Sequence, residues 1–154
     1  MFSKEEEKEL KIQFWGGLNE VLEGEKGLHA NKVNWMNFNT KIKPLYFRME
    51  ADEKGARLCI DIQFIDDDIR EIFYEQFTEF STILNERFAN NLKWLPTFEH
   101  SNGKTISRIV SAKDGLSMYK KEDWPAMHEF LRSQFVILEH FWSEFGEVFL
   151  NLKK

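Results

Sequence analysis

Two segments of alternating apolar and polar residues, each interrupted by a glycine-containing turn, restrict this chain to folds built on antiparallel hairpins. In residues 47–64 the apolar positions recur at every second residue on both sides of a turn at 52–55. In residues 92–111 the turn contains Asn102 and Gly103, a pair that favours the tight turns of β-hairpins. Strands with one buried face show this alternation, so we expect four antiparallel strands.

Three helices are predicted around the hairpins. The first spans residues 3–24, where apolar residues recur every four positions after a capping-box start. The second spans 66–90, begins with three aspartates and has the apolar residues from Ile69 onward on one face; the third spans about 123–152. The chain is therefore expected to be a single α+β domain, residues 1–154, in the order helix, hairpin, helix, hairpin, helix. An antiparallel four-stranded sheet packed by three helices satisfies this order.

Two adjacent glycines, Gly16 and Gly17, lie in the middle of the first predicted helix. Each glycine costs about 1 kcal/mol relative to alanine inside a helix. No strand precedes the pair, so a cofactor-binding glycine loop is not expected. The pair predicts instead that another element of the fold approaches the helix closely at this point.

The formal charge of the chain is −5 at pH 7, but it is unevenly distributed. Residues 93–121 contain six lysines and arginines and two carboxylates, which gives this segment a net charge of +4. The remainder of the chain therefore carries −9. A whole-chain electrostatic attraction to nucleic acid is not expected, whereas a local contact through the basic second hairpin is consistent with this distribution.

The second hairpin carries the candidate binding residues, which combine cations with aromatic rings: Lys93, Trp94, His100, Lys104 and Arg108. Such a combination can contact phosphates and stack on bases, so nucleic acid or another anionic partner, including a protein, is the predicted ligand. This interpretation makes the protein a non-enzymatic binding or interaction module. The structural alternative is that Trp94 belongs to the core and that Arg108 pairs with Glu99. A plain scaffold subunit of a larger system is a third hypothesis.

A nuclease pattern offers an enzymatic alternative. Asp52, Asp61 and Gln63 follow an arrangement similar to the Asp…(Asp/Glu)-x-Lys motif of the restriction-endonuclease superfamily, in which carboxylates on a hairpin hold Mg²⁺. Gln63 occupies the position where that motif has the lysine that assists the attacking water. The sequence therefore predicts at most a degenerate Mg²⁺-dependent nuclease at these positions.

Metal, cofactor and cysteine chemistry have little support in the sequence. The histidines lack the spacing of a zinc site, and no phosphate-binding or dinucleotide-binding glycine motif is present. Cys59 is the only cysteine, and its place in an apolar strand predicts a buried, inert thiol. We expect neither a bound metal nor a cofactor. A cytoplasmic location is expected because no signal peptide or membrane-spanning run is recognisable.

Aromatic residues are unusually frequent, with 15 Phe, 5 Trp and 3 Tyr among 154 residues. Most of them fall at helix or strand spacing on inward faces. In the third predicted helix, however, the apolar face is broader than one sheet covers. We therefore expect the protein to self-associate through this helix, with Phe135, Trp142 and Phe149 as the contact residues.

Several ordered segments point to a known family: residues 14–15, 73–77, 92–96 and 103–109. Together they resemble the bacterial family catalogued as domain of unknown function 4268, over nearly the whole chain. Members of that family occur alone or attached to nuclease-like or other domains, which implies an accessory role near nucleic acids or in defence systems. The resemblance implies no catalytic residues, and it makes Trp94, Lys104 and Arg108 the family-like positions to test first.

Overall fold

The two alternating segments form four strands, as their pattern predicts. The computed structural model describes residues 1–153 of the chain. Its helices and strands, in chain order, are α1 (Lys4–Leu22), β1 (Leu45–Ala51), β2 (Gly55–Ile62), α2 (Asp67–Glu79), α3 (Ser81–Arg87), β3 (Leu92–Glu99), β4 (Thr105–Asp114) and α4 (Trp124–Leu152). Two short 3₁₀ turns lie between them, at Trp35–Asn37 and Lys121–Asp123. The predicted α+β class and the order of the two hairpins are confirmed.

The four strands form one antiparallel sheet in the order β1-β2-β4-β3. The two hairpins therefore meet at the centre of the sheet, where β2 pairs with β4 and Asp61 lies opposite Arg108. Strand β3 lies at an edge, and its register shifts between Leu95 and Phe98. Pro96 lies in this irregular stretch, where its lack of a backbone N–H removes no hydrogen bond from the regular ladder.

One face of the sheet forms the core together with the helices. Alternate side chains of the strands, such as Phe47, Ile60 and Ile109, belong to one buried cluster with the apolar residues of α1, α2 and α4. Helix α4 contacts β2 and β4 and packs against α1. This arrangement removes the apolar stripe of each helix and the apolar face of the sheet from water at the same time.

The second predicted helix is divided in the structure, so residues 1–153 contain four α-helices where three are expected. Phe80 has φ −95° and ψ 11°, outside the regular helical range, and separates α2 from α3. Its ring packs against Phe145 and Phe141 of α4, with centroid distances of 5.0 and 5.4 Å. The apolar spacing continues through the break, so periodicity alone cannot show it. Ile69, expected on the buried face, is exposed instead.

Two of the three residues predicted for self-association, Phe135 and Phe149, lie in the core, where they cannot reach a second chain. Phe135 packs against Trp35 and Phe38, with ring centroids 5.3 and 5.6 Å away. These two rings belong to the segment between α1 and β1, which covers the side of α4 that the sheet leaves free. Trp142 is only half-buried. Self-association through α4 stays a prediction that rests on the exposed part of this helix.

Helices α1 and α4 approach each other closely at one of the two adjacent glycines. A Cβ atom on Gly17 would lie 2.9 Å from Cε1 of His128, whereas nothing lies within 4 Å of the same position on Gly16. His128 Nε2 donates a hydrogen bond of 2.9 Å to the backbone oxygen of Phe14. Burial lowers the pKa of His128, although the Phe14 carbonyl opposes this effect, so the ring is neutral at pH 7. The predicted close approach is confirmed at Gly17 and is absent at Gly16.

Alanine substitutions at Gly16 and Gly17 are expected to affect the free energy of unfolding differently. Gly16→Ala should raise the free energy of unfolding by about 0.5–1 kcal/mol, because alanine favours the helix and no atom opposes the new methyl group. Gly17→Ala should be less stable than Gly16→Ala by about 1–3 kcal/mol, since its methyl group overlaps the His128 ring. Urea titration of both variants measures the difference. Equal stability of the two variants would show that His128 does not restrict α1.

Candidate binding face

The sheet face opposite the helices, here called the outer face, carries most of the charged residues of the strands. It is formed by alternate side chains of β1, β2 and β4, namely Tyr46, Arg48, Glu50, Arg57, Cys59, Asp61, Ile106, Arg108 and Val110. The register places Glu50 beside Arg57 and Asp61 beside Arg108. The alternation in the sequence predicts this face for Arg48, Glu50, Asp61 and Gln63. The strand register confirms it for the first three, and Gln63 follows directly after the end of β2.

Arg108 lies at the centre of a network of ion pairs on the outer face and is only 4% exposed. Its Nε donates to Oδ1 of Asp61 at 2.7 Å, and its Nη2 donates to Oδ2 at 2.9 Å, which makes a bidentate pair. Nη1 and Nη2 lie 3.3 and 3.2 Å from the two carboxylate oxygens of Glu50. Glu50 also accepts from Nε of Arg57 at 3.1 Å, and Arg57 binds Asp52 at 2.8 Å. Charges therefore alternate along the network, and each carboxylate contacts at least one arginine.

The network holds its groups in their charged forms. Burial alone raises the pKa of Glu50, but Arg108 and Arg57 outweigh that effect and leave the pKa below its ordinary value. Burial likewise acts to lower the pKa of Arg108, and its carboxylate partners raise it above its ordinary value instead. Cys59 lies beneath these groups, and burial raises the pKa of its thiol far above the usual range. The thiol is therefore protonated and a poor nucleophile, as predicted for a buried cysteine.

Arg108 is not free to contact a phosphate, and its partner is not Glu99. Both hypotheses placed the contacts of Arg108 at the second hairpin, either with a phosphate or with Glu99. The register of β4 against β2 sets Asp61 opposite Arg108, so the guanidinium turns toward the first hairpin. Phe98 lies against it, with the ring centroid 4.4 Å from Cζ. Because the buried cation has charged hydrogen-bonding partners, its place on the outer face is structural.

Two other residues predicted for binding lie away from the turn of the second hairpin. Trp94 is on the helix side of β3, where its Nε1 donates to Oδ1 of Asn85 at 3.0 Å. Its ring centroid lies 6.2 Å from that of Tyr74, so the alternative that Trp94 contributes to packing is supported. Lys93 is exposed and lies opposite Val110, near the start of β3. These positions do not form one surface with the residues of the turn.

The structure does not bring together the carboxylates of the nuclease hypothesis. Asp52 lies at the turn between β1 and β2, where its carboxylate binds Arg57. Asp61 lies opposite Tyr46, toward the other end of the same hairpin, and binds Arg108. Both carboxylates are thus engaged by arginines and not directed at a shared ion. Within residues 1–153, no group of three or more His, Cys, Asp or Glu side chains is placed to hold a metal ion.

A cavity of about 600 Å³ opens where the outer face meets the free edge of β1. Its polar wall comprises Tyr46, Arg48, Glu50, Gln63, His100 and Asn102. Its apolar wall includes Trp15, Trp35, Met36 and Phe38. We call this space the Arg48 cavity. The turn between β3 and β4 supplies His100 and Asn102, so the second hairpin reaches across the outer face to the first.

Arg48 is an exposed cation on the polar wall of this cavity. Its Cζ lies 4.4 Å from the ring centroid of Tyr46, which is a cation–π contact. No ion pair within the described part of the chain involves Arg48, in contrast to Arg57 and Arg108 on the same face. Its guanidinium donors are therefore available to a ligand.

His100 and Lys104 are the two predicted binding residues that the structure brings to this region. Nδ1 of His100 is, among residues 1–153, the only buried side-chain nitrogen or oxygen that lacks a hydrogen-bond partner. An unsatisfied buried polar atom costs free energy, so a ligand that reorients this ring can recover a hydrogen bond. The Lys104 side chain is exposed, and Gln63 lines both the Arg48 cavity and a neighbouring recess that Lys104 borders.

Sequence reasoning missed Arg48 and Tyr46 as site residues. The available signal was weak: an aromatic residue and an arginine two positions apart share one face of a strand, as many surface pairs do. Their importance depends on the turn of the second hairpin, which closes one side of the cavity. That contact joins segments about fifty residues apart and leaves no trace in local periodicity.

The fold and the cavity together define an α+β domain in which an exposed arginine lies beside a largely buried network of ion pairs on the outer face of the sheet. A family model described as a domain of unknown function (DUF4268) matches residues 10–146, so the chain belongs to that family. The resemblance seen in the sequence is thereby confirmed. No curated protein and no solved structure matches the chain. None of the helices within residues 1–153 combines the length and hydrophobicity that crossing a membrane requires.

Proposed function

We propose that this protein is a non-enzymatic binding module and that its Arg48 cavity contacts single-stranded nucleic acid. The observation that supports this proposal is the exposed Arg48 guanidinium, stacked on Tyr46 and outside every ion pair of residues 1–153. A guanidinium presents its donors in a geometry that matches phosphate oxygens. No existing ion pair has to be broken before Arg48 binds an anion.

The surroundings of this arginine favour a single strand over a duplex. Trp15 and Phe38 are half-buried on the apolar wall and offer aromatic surface on which an unpaired base can stack. The bases of a duplex already stack on one another and are not available for this contact. Gln63 and Asn102 add amide donors and acceptors for base edges, and Lys104 adds a second cation beside Gln63.

The charge distribution favours a local and salt-sensitive contact. The chain as a whole carries −5, so attraction over long distances is not expected. The ion-pair network of the outer face contains two arginines and three carboxylates, a net charge of −1, so Arg48 and Lys104 are the positive groups that line or border the cavity region. Contact with two phosphates of a single strand corresponds to a slope of log K against log salt of about −1.4.

We propose binding over catalysis because arginines engage the carboxylates that metal-assisted hydrolysis would need. We also propose that the protein is located in a bacterial cytoplasm. Its single cysteine is buried and unpaired, which fits a reducing compartment. The proposal also retains self-association through the exposed residues of α4, including Val148 and Leu152.

Charge reversal at Arg48 tests the binding proposal. Wild-type protein should bind a fluorescein-labelled single-stranded DNA of about 20 nucleotides at about 20 mM salt, and addition of salt should weaken the complex. Arg48→Glu should weaken binding by about tenfold or more, because it removes the phosphate contact and adds repulsion. Fluorescence anisotropy measures both affinities.

Lys113→Glu is the matched control, since Lys113 is exposed at the opposite end of β4, across from Ala56. It makes the same change in net charge and should weaken binding less than Arg48→Glu does. At about 100 mM salt, where the Debye length is about 10 Å, it should bind within about twofold of wild type. Equal losses in both variants would show that only net charge matters. Absence of wild-type binding at low salt would remove the proposal and favour the scaffold hypothesis.

A further inference from the structure

Part of β1 presents backbone groups that point away from the sheet. β1 is an edge strand. At its turn with β2, the N–H of Asp52 donates to the backbone oxygen of Gly55 at 3.0 Å. Backbone groups along an antiparallel strand point alternately toward its two sides, so every second residue from Asp52 bonds to β2. The N–H and C=O groups of Phe47, Met49 and Ala51 therefore point toward the free side of β1.

The start of β1 is covered on this side, whereas the rest of the strand is open. Leu45 donates its N–H to the oxygen of Ile42 at 2.8 Å, and Thr40 Oγ1 donates to the oxygen of Leu45 at 2.8 Å. No group within residues 1–153 forms a hydrogen bond with the outward N–H and C=O groups of residues 47–51. We call residues 47–51 the β1 edge. Such a row of unpaired backbone groups can bind another strand.

The β1 edge is complementary to itself. When two copies lie antiparallel and centred on Met49, Phe47 of each copy lies opposite Ala51 of the other, and the two Met49 residues face each other. All of these positions direct their backbone groups outward, so the unpaired groups of one copy meet those of the other. A centre at Arg48 or Glu50 instead places two like charges opposite each other, which is unfavourable.

The charges on the outer face favour the same register. With the centre at Met49, Arg48 of each copy lies opposite Glu50 of the other, and opposite charges on facing residues stabilise a strand pair. Arg48 is exposed and forms no ion pair within residues 1–153. Glu50 belongs to a network with a net charge of −1, so one arginine from the second copy would balance it. On the helix side, the half-buried side chains of Met49 and Ala51 would lose exposed apolar surface.

We propose that two copies of this chain pair through the β1 edge, antiparallel and centred on Met49, and so join their sheets into one. This surface is formed by other residues than the exposed part of α4. In the pair, Arg48 faces the second copy, so the second copy and the ligand of the Arg48 cavity compete for it. That competition is the one part of this inference that rests on the proposed function.

A disulfide cross-link tests the pairing and its register. The two Met49 positions would form a hydrogen-bonded pair with Cα atoms about 5.5 Å apart, which a disulfide can span. The two Ala51 positions would be displaced along the strands by four residues, or about 13 Å, which a disulfide cannot span. After mild oxidation, Met49→Cys should therefore give at least about fivefold more covalent dimer than Ala51→Cys on a nonreducing gel. The native Cys59 is buried and is not expected to contribute.

Proline at position 49 tests the same contact without a cysteine. Met49→Pro removes an outward N–H and leaves the ladder between β1 and β2 intact, because an edge strand tolerates proline where its N–H faces solvent. In light scattering, the mass of wild type should rise toward that of two chains as protein concentration increases. Met49→Pro should stay a single chain, whereas Met49→Val, which keeps the N–H, should behave like wild type. Circular dichroism checks that the variants are folded, and the cross-linking comparison decides if Met49→Pro unfolds.

Three results would overturn the proposal: equal cross-linking of Met49→Cys and Ala51→Cys, a wild-type mass of one chain at every concentration, or a rise in mass that Met49→Pro leaves unchanged. The last result would assign self-association to another surface, such as α4. None of these measurements contains nucleic acid, so their outcome does not depend on the proposed function. The competition has its own test, because the single-stranded DNA described above should lower the cross-linked fraction of Met49→Cys. DNA that binds without lowering this fraction would overturn the competition alone.

Discussion

Replacing Arg108 by methionine is expected to lower the free energy of unfolding by about 3–5 kcal/mol, because it leaves a buried carboxylate without its positively charged partner. Asp61 is fully buried and accepts two hydrogen bonds from Arg108, at 2.7 and 2.9 Å. Methionine retains much of the apolar volume of arginine but none of its donors. The variant therefore isolates the loss of charge compensation from the loss of packing, and chemical denaturation measures it.

Two companion variants show whether the ion pair is the cause. Arg108→Met combined with Asp61→Leu removes both charges and should recover most of the lost stability, since apolar replacement of a whole buried pair is often neutral. Arg132→Met breaks ion pairs of a partly exposed arginine and should cost about 1 kcal/mol or less. A double variant as unstable as Arg108→Met alone would rule out an uncompensated Asp61 as the source of the loss.

Truncation of Phe149 should have an effect of similar size, about 3–5 kcal/mol for Phe149→Ala. The ring is fully buried and lies among other aromatic rings, with centroids 4.3 Å from Phe77, 5.2 Å from Trp142 and 5.8 Å from Phe80. Alanine leaves a space between α2 and α4 that rigid neighbouring rings cannot fill. Thermal or urea denaturation reports the loss.

Val21 provides the control, because it is exposed on α1 and lies outside the surface of α4 proposed for self-association. Val21→Ala should change stability by no more than about 0.5 kcal/mol, as surface substitutions usually do. The destabilisation by Phe149→Ala should also be independent of protein concentration, since Phe149 packs within one chain. A loss of stability that becomes smaller at higher protein concentration would indicate that Phe149 forms a contact between chains.

Both hairpins could be predicted from the sequence because the turns that close them need particular residues. A Cβ atom on Gly55 would lie 2.1 Å from the backbone oxygen of Lys113, so the first turn accepts only glycine. Gly103, in the second turn, has φ 84°, a conformation that glycine adopts without strain. The strand period and the turn residues agree at both sites, which made the α+β class predictable.

The candidate site could not be predicted because its parts come from different hairpins. Asp61 and Arg108 each look like ordinary polar residues on an outward strand face, and only the pairing of β2 with β4 makes them partners. The cavity beside Arg48 depends in the same way on the turn that carries His100. Local periodicity fixes which face a residue occupies but not which distant segment faces it.

The pairing of the two hairpins has a kinetic consequence. Each hairpin closes over a short turn, so its two strands meet at little cost in chain entropy. Asp61 and Arg108 are 47 positions apart, and α2, α3 and β3 lie between them. Pairings over such separations form slowly relative to local ones. We therefore expect each hairpin to form quickly, and we expect the pairing of β2 with β4 to limit the rate at which the complete sheet forms.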